Sequence, residues 1–308
     1  MQKKQVVNSL LLALTALIWG SAFVAQSVGM DFLGPLSFNG ARNVLAALAL
    51  IPVIAVMDRK NQGSGRPQGP QQRRTLWQGG VACGLVLAAA TTVQQLGIQY
   101  ASVGKAGFIT ALYIVIVPVL GTVFLRQRSG AQVWGGVLLA LVGLYLLCAK
   151  DGDFSMGKGE VLLLISSLLF SLHILVIDRY SPLVDGVRLS WIQFVVVAAL
   201  CMPLGVLLEH PSLHTLLAAW GPLLYAGVLS SAVGYTLQIV GQRNVPPTVA
   251  SLILSLESVF AALAGWVLLH QVLTGRELLG CGLMFAAILL AQLPARADRK
   301  PRPQPAEQ

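Results

Sequence analysis

The sequence predicts an all-α membrane protein of ten transmembrane helices, arranged as two inverted five-helix repeats. Three observations predict it. The chain is apolar in segments of membrane-spanning length, its basic residues fall unevenly between alternate connecting segments, and its two halves resemble each other in order and spacing.

The 308 residues are 56% hydrophobic and 11% charged, with a mean hydropathy of +0.74. A water-soluble domain carries about 25% charged residues, so a soluble core is excluded. Apolar stretches long enough to cross ~30 Å of hydrocarbon as helices occupy 8–27, 34–57, 76–97, 101–125, 131–149, 159–177, 188–208, 216–240, 247–269 and 276–293. The first follows Lys3 and Lys4 as the core of a signal peptide would, but it runs on to about Ser27 and nine similar segments follow, so it reads as a retained helix. A transmembrane barrel needs alternating apolar and polar residues, and stretches such as Val133 to Cys148 do not alternate.

Charge placement sets the orientation. With the N-terminus inside, the inner segments collect Lys3, Lys4, Arg59, Lys60, Arg66, Arg73, Arg74, Arg126, Arg128, Arg179, Arg188, Arg243, Arg296, Arg299, Lys300 and Arg302. The outer segments hold only Lys105, Lys150, Lys158 and Arg276. The positive-inside rule therefore predicts a multi-pass protein of a bacterial-type inner (plasma) membrane with both termini cytoplasmic. The net charge of +9 is a topology signal, and no nucleic-acid partner is expected.

A shift of 151 residues lays Leu11, Leu12, Leu17, Ala47 and Pro52 on Leu162, Leu163, Leu168, Ala198 and Pro203, and sets Arg42 opposite Gln193. A shift of 144 lays Thr92, Gln94, Gly97, Gln127 and Gly136 on Thr236, Gln238, Gly241, Gln271 and Gly280. The expected divisions are a first repeat over 1–150, a second over 151–293 and a disordered cytoplasmic tail over 294–308. An odd number of crossings in each half inverts the second, and two inverted halves can open a midplane site to each side in turn.

Ile18-Trp19-Gly20-Ser21-Ala22-Phe23, Arg42, Leu256-Glu257-Ser258-Val259-Phe260 and Gly280-Cys281-Gly282-Leu283 occur in this order within the ten spans. In these motifs the chain resembles the drug/metabolite transporter superfamily, specifically its EamA-type ten-helix transporters, over nearly its whole length. It departs from that pattern at Ser258, where Pro is common, and at Arg126-Gln127 and His270-Gln271, where a Gly-Glu pair is common. The resemblance implies a central cavity lined by spans 1, 3, 4, 6, 8 and 9, a small-metabolite substrate, and export rather than import.

Glu257 is the only carboxylate near the middle of a span, where an acidic group costs ~2.5–3.5 kcal/mol on insertion scales. It is a candidate to carry a coupling proton or to bind a cationic substrate group, or it pairs with Arg42 or another polar partner to join helices. Arg42 is either an anion site for a substrate carboxylate or a structural group, with Asn39 one turn before it on the same face. His173 is a proton relay or a neutral packing residue. Trp19, Gln94, Gln95, Tyr113, Tyr235 and Gln238 fall in the cavity-lining spans and offer stacking and hydrogen bonds to an amphipathic solute; buried glutamines equally fasten helices to each other.

Cys83, Cys148, Cys201 and Cys281 lack CxxC spacing, so no metal and no disulfide is expected. No Walker A loop, HExxH or GxSxG occurs, so the chain is not read as an enzyme, no cofactor is expected, and a membrane-embedded enzyme is the weakest alternative. The expected function is secondary transport of an amino acid or similar amphipathic solute by alternating access, with a passive channel as the alternative. The partners are the lipid bilayer, a small-molecule substrate and protons as the coupling ion, and a homodimer is left open.

Overall fold

The computed structural model describes residues 2–61, 69–101, 103–125, 130–148, 157–269 and 274–292, and the described residues are helices and their turns. In chain order these are α1 (Gln2–Gly29), α2 (Pro35–Asn61), α3 (Pro70–Ile98), α4 (Val103–Thr110), α5 (Tyr113–Leu125), α6 (Ala131–Cys148), α7 (Lys158–Tyr180) and α8 (Gly186–Leu208). Then follow α9 (Leu213–Ala218), α10 (Trp220–Leu224), a π-helical segment π1 (Tyr225–Tyr235), α11 (Thr236–Gln242), α12 (Pro247–Leu254), α13 (Glu257–Leu269) and α14 (Gly275–Gln292). Eight of the helical stretches are long and apolar enough to cross a membrane, and Ala131–Leu146 is a shorter apolar helix. The expected tail over 294–308, the connector residues 62–68, Arg126-Gln127 and His270-Gln271 lie outside the described residues.

Local chemistry starts these helices. Pro35, Pro70 and Pro247 open α2, α3 and α12, where the missing N–H costs nothing and φ is already helical. Asp185 accepts from the Arg188 N–H at 2.9 Å to cap α8. Thr274 and Glu277 cap each other's backbone at the start of α14.

Element boundaries recur along the chain. Adding 144 to the bounds of α4, α5 and α6 gives those of α12, α13 and α14, and adding 151 to the start of α2 and the end of α1 gives the start of α8 and the end of α7. Packing recurs too. α2 lies against α8 and α6 against α14, while α1 packs on π1, α11, α12 and α13, and α7 packs on α3, α4 and α5. The α6–α14 pair approaches so closely that a Cβ on Gly143 would sit 2.8 Å from the Gly280 carbonyl oxygen.

The α2–α8 pair is fastened at both ends by carboxylates. Glu209, at the end of α8, accepts from the N–H groups of Leu36 and Ser37 at 2.9 and 2.8 Å, capping α2. At the other end Arg188 on α8 pairs with Asp58 on α2. Positions 58 and 209, like 37 and 188, differ by 151.

Three of the expected spans are irregular inside. The spans 101–125 and 247–269 are each broken in the middle, at Ala111-Leu112 and Ser255-Leu256, and the span 216–240 is π-helical over Tyr225–Tyr235. The two breaks share one hydrogen-bond pattern: Leu112 N to Ile109 O and Ile114 N to Ala111 O in one, Leu256 N to Ile253 O and Ser258 N to Ser255 O in the other. These tightened bonds leave α-helical carbonyls without their usual donors. Thr110 O has lost its Ile114 donor, and Ser167 Oγ on the neighbouring α7 supplies the missing bond at 2.9 Å, while Ser258 Oγ adds a second donor to Gly107 O at 3.4 Å.

Candidate functional site

The interior cavity lies where the broken helices meet α1, α2, α3 and π1. Its walls are Trp19, Phe23 and Gln26 of α1, Arg42 of α2, Gln94 of α3, Thr110 of α4, Tyr113 of α5, Phe170 of α7, Ser230 and Tyr235 of π1, and Glu257 of α13. Trp19, Phe23 and Gln26 stand at i, i+4 and i+7, one face of α1. The cavity encloses about 30 Å³ of water-accessible space, room for on the order of two waters. In this conformation it is closed to a metabolite.

Glu257 and Tyr113 each begin the second half of a broken helix. Their positions differ by 144, and the Tyr113 hydroxyl donates to Glu257 Oε1 at 2.9 Å. Both side chains are buried. Arg42, 2% exposed, donates from Nη1 to Gln26 Oε1 at 3.3 Å, lies 5.9 Å from the Phe38 ring centroid, and keeps its Nε without a partner. Neither Arg42 nor Glu257 meets an opposite charge among the described residues. Of the partners weighed for Glu257, a polar one, Tyr113, is found and Arg42 is not, while Arg42 itself meets Gln26. A buried charge held only by neutral partners is under-compensated, which leaves each one able to take an opposite charge from a ligand.

Aromatic packing shapes the rest. Trp19 and Tyr235 have ring centroids 4.6 Å apart, and the Trp19 indole N–H donates to the Ser230 carbonyl at 3.1 Å. A π-helix shifts its backbone bonds by one residue and opens carbonyls to such outside donors. Gly234 permits this contact, since a Cβ there would come within 2.7 Å of Trp19 Nε1.

Of the residues singled out from sequence, Trp19, Arg42, Gln94, Tyr113, Tyr235 and Glu257 line the cavity. Asn39, Gln95, His173 and Gln238 are buried but are not among its lining residues. Asn39 contacts Thr92, Gln95 contacts Met30 Sδ, and His173 hydrogen-bonds Gln193 at 3.2 Å. Sequence reasoning missed Phe23, Gln26, Thr110, Phe170 and Ser230. Gln26 was within reach, lying two turns from Trp19 on the same helix face.

The arrangement sets one basic and one acidic side chain, with aromatic rings between, on the walls of one cavity. A family model described as the EamA-like transporter family matches the chain twice, over residues 8–149 and 157–293. An uncharacterized transporter of Archaeoglobus fulgidus is 30% identical over 94% of this chain and 87% of its own length. The threonine/homoserine exporter RhtA of Escherichia coli is 27% identical over 59% of this chain and 61% of its own. Among solved structures, one at 15% identity superposes with a TM-score of 0.75 over 93% of this chain and 96% of its own, a likeness of fold.

Proposed function

The chain belongs to the EamA-like transporter family, an integral membrane family of transporters, and from that premise we propose that it is a secondary carrier exporting a small zwitterionic solute of the amino-acid class by alternating access. The observation that carries the substrate reading is the pair of oppositely charged, separately held groups in one cavity. Arg42 receives the carboxylate and Glu257 the ammonium, while Trp19, Phe23 and Tyr235 enclose the side chain. The Escherichia coli relative, a threonine/homoserine exporter, supports the direction and the solute class.

The architecture of the proposal is ten crossings in two inverted repeats, 1–150 and 151–293. The twofold match of the family model, the recurring helix bounds and the exchanged packing of α1 and α7 support it. The broken helices α4–α5 and α12–α13 meet at the centre, as the discontinuous helices of inverted-repeat carriers do. Both termini face the cytoplasm of an inner membrane, and the coupling ion is a proton taken by Glu257 when the ammonium leaves. Exchange of the Tyr113 hydroxyl for substrate at Glu257 links binding to movement of the two half-helices.

Thermal stabilisation tests the substrate reading. Purified protein is melted with L-threonine and other amino acids, their methyl esters, their N-acetyl forms, nucleobases, sugars and organic cations. A zwitterion is expected to raise the melting temperature while its ester and its N-acetyl form do not. In Glu257→Gln the need for the ammonium should vanish, and in Arg42→Gln the need for the carboxylate. Equal stabilisation by the blocked forms would sink the proposal.

A further inference from the structure

Beside the cavity lies a second set of buried polar groups that substrate binding does not use. His173 Nε2 contacts Gln193 Oε1 at 3.2 Å. An amide oxygen only accepts, so Nε2 carries the proton and Nδ1 is the ring's acceptor. That Nδ1 has no partner, and neither do Gln193 Nε2, Gln238 Oε1, Gln242 Oε1 and Ser181 Oγ. All five side chains are at most 1% exposed. Buried polar atoms almost always have a partner in protein or in ordered water, so five orphans among three adjacent helices call for water.

Their order along the helices gives the water a direction. The His173 ring meets Tyr235, a wall of the cavity, edge-on with centroids 5.9 Å apart. One helical turn beyond Tyr235 is Gln238, and one turn further Gln242, whose amide donates to the Ile174 carbonyl at 3.2 Å. Beyond it Arg243 reaches Pro182 O at the end where α7 finishes, next to Ser181. The orphans thus step from the cavity to the basic end of the molecule. Around them Ile177, Val184, Leu189 and Ile239 form an apolar cluster.

We propose that Tyr235, His173, Gln193, Gln238, Gln242 and Ser181 hold a file of buried water that carries protons between the central cavity and the basic face, apart from the solute's route. The proton-carrying role rests on the carrier reading above; the water file does not. A proton entering at the basic face passes along water hydrogen bonds, is accepted at His173 Nδ1 or its water, and reaches the Glu257 carboxylate through the cavity waters. No other bond changes.

Radiolytic hydroxyl labelling of the purified protein, read by mass spectrometry, tests the water. His173 is expected to label at least fivefold above Phe194, a buried neighbour 6.2 Å from the Tyr235 ring. That excess should disappear in Gln238→Leu and in the Gln238→Leu/Gln242→Leu double variant, each melting within a few degrees of the wild type. Labelling no higher than Phe194, or unchanged in both variants, overturns the proposal. Proteoliposomes test the proton, with L-threonine as probe. Threonine exchange should stay within twofold in the variants while proton-driven accumulation falls at least tenfold, and an equal fall in both would overturn the separate route. Wild-type protein that labels as expected but moves no threonine would count against the carrier reading and leave the water file standing.

Discussion

Two pairs of helices cross the molecule's centre of repetition in different ways. In the α2–α8 pair, both helices are continuous and a carboxylate fastens each end, Glu209 on the α2 backbone and Asp58 on Arg188. In the pair formed by α4–α5 and α12–α13, both members are broken, and hydrogen bonds join them near the breaks, Ser258 to Gly107 and, in the cavity, Tyr113 to Glu257. The first pair makes its bonds at its rims, where water can replace them. The second makes one of its bonds in a cavity, where only a ligand can. In the proposed transport cycle the continuous pair is the frame, and the broken pair, which brings Tyr113 and Glu257 to the cavity, is the moving part.

The sharpest break of this contrast is charge removal on each side of it. Glu257→Gln keeps an acceptor for Tyr113 but removes the charge, and Arg42→Gln likewise keeps a polar group. Losing one charge-assisted contact to a substrate costs ~1.5–3 kcal/mol, so exchange of a zwitterionic amino acid should fall ~10–100-fold in either variant. Glu209→Gln should leave exchange within about twofold, because it caps α2 away from the cavity. Comparable losses in all three would erase the distinction between frame and moving part.

A steric probe comes next. Gly20 of α1 faces the break directly, and a Cβ there would sit 2.6 Å from the Glu257 carbonyl oxygen and 2.7 Å from the Ala261 nitrogen, both backbone atoms. Gly40 holds the same kind of place in the frame, 2.7 Å from the Met202 Cα. Each Gly→Ala change should cost ~1–3 kcal/mol by overpacking, seen as a lower melting temperature. Only Gly20→Ala should also change the exchange rate, since α1 must let α13 move. If Gly40→Ala alters exchange as much, the frame moves as well.

Much of this contrast was legible in the sequence, and the part that was not has a physical reason. Long apolar segments place most helix ends within a few residues, because hydrophobic length and the Pro and capping residues fix them locally. Glu257 and Arg42 stood out because charge in an apolar span is costly wherever it points. The breaks did not show: Ala111-Leu112 and Ser255-Leu256 contain neither Gly nor Pro, and it is Ser167, on a helix far away in sequence, that satisfies the freed Thr110 carbonyl. The π segment is invisible for the same reason, being matched to Trp19 across the fold. The repeat was found from identities, yet its most informative pairs are Tyr113 with Glu257 and Asp58 with Glu209, which are equivalent in place and different in type.

That last pair gives the smallest effect and the finest test of what equivalence means. Glu209 is half-buried and satisfies two backbone N–H groups at the start of α2, a capping role worth about 1 kcal/mol. Asp58 occupies the corresponding place but is 49% exposed and meets a flexible arginine, a contact worth at most ~0.5–1 kcal/mol and screened by salt. Glu209→Gln should lower the melting temperature at any ionic strength, and Asp58→Asn should lower it less and only in low salt. Equal, salt-sensitive losses at both ends would mean that the two carboxylates act by charge alone. Unequal losses with different salt dependence would mean that one position in the repeat has taken two physical roles, a backbone cap at one face and a screened ion pair at the other.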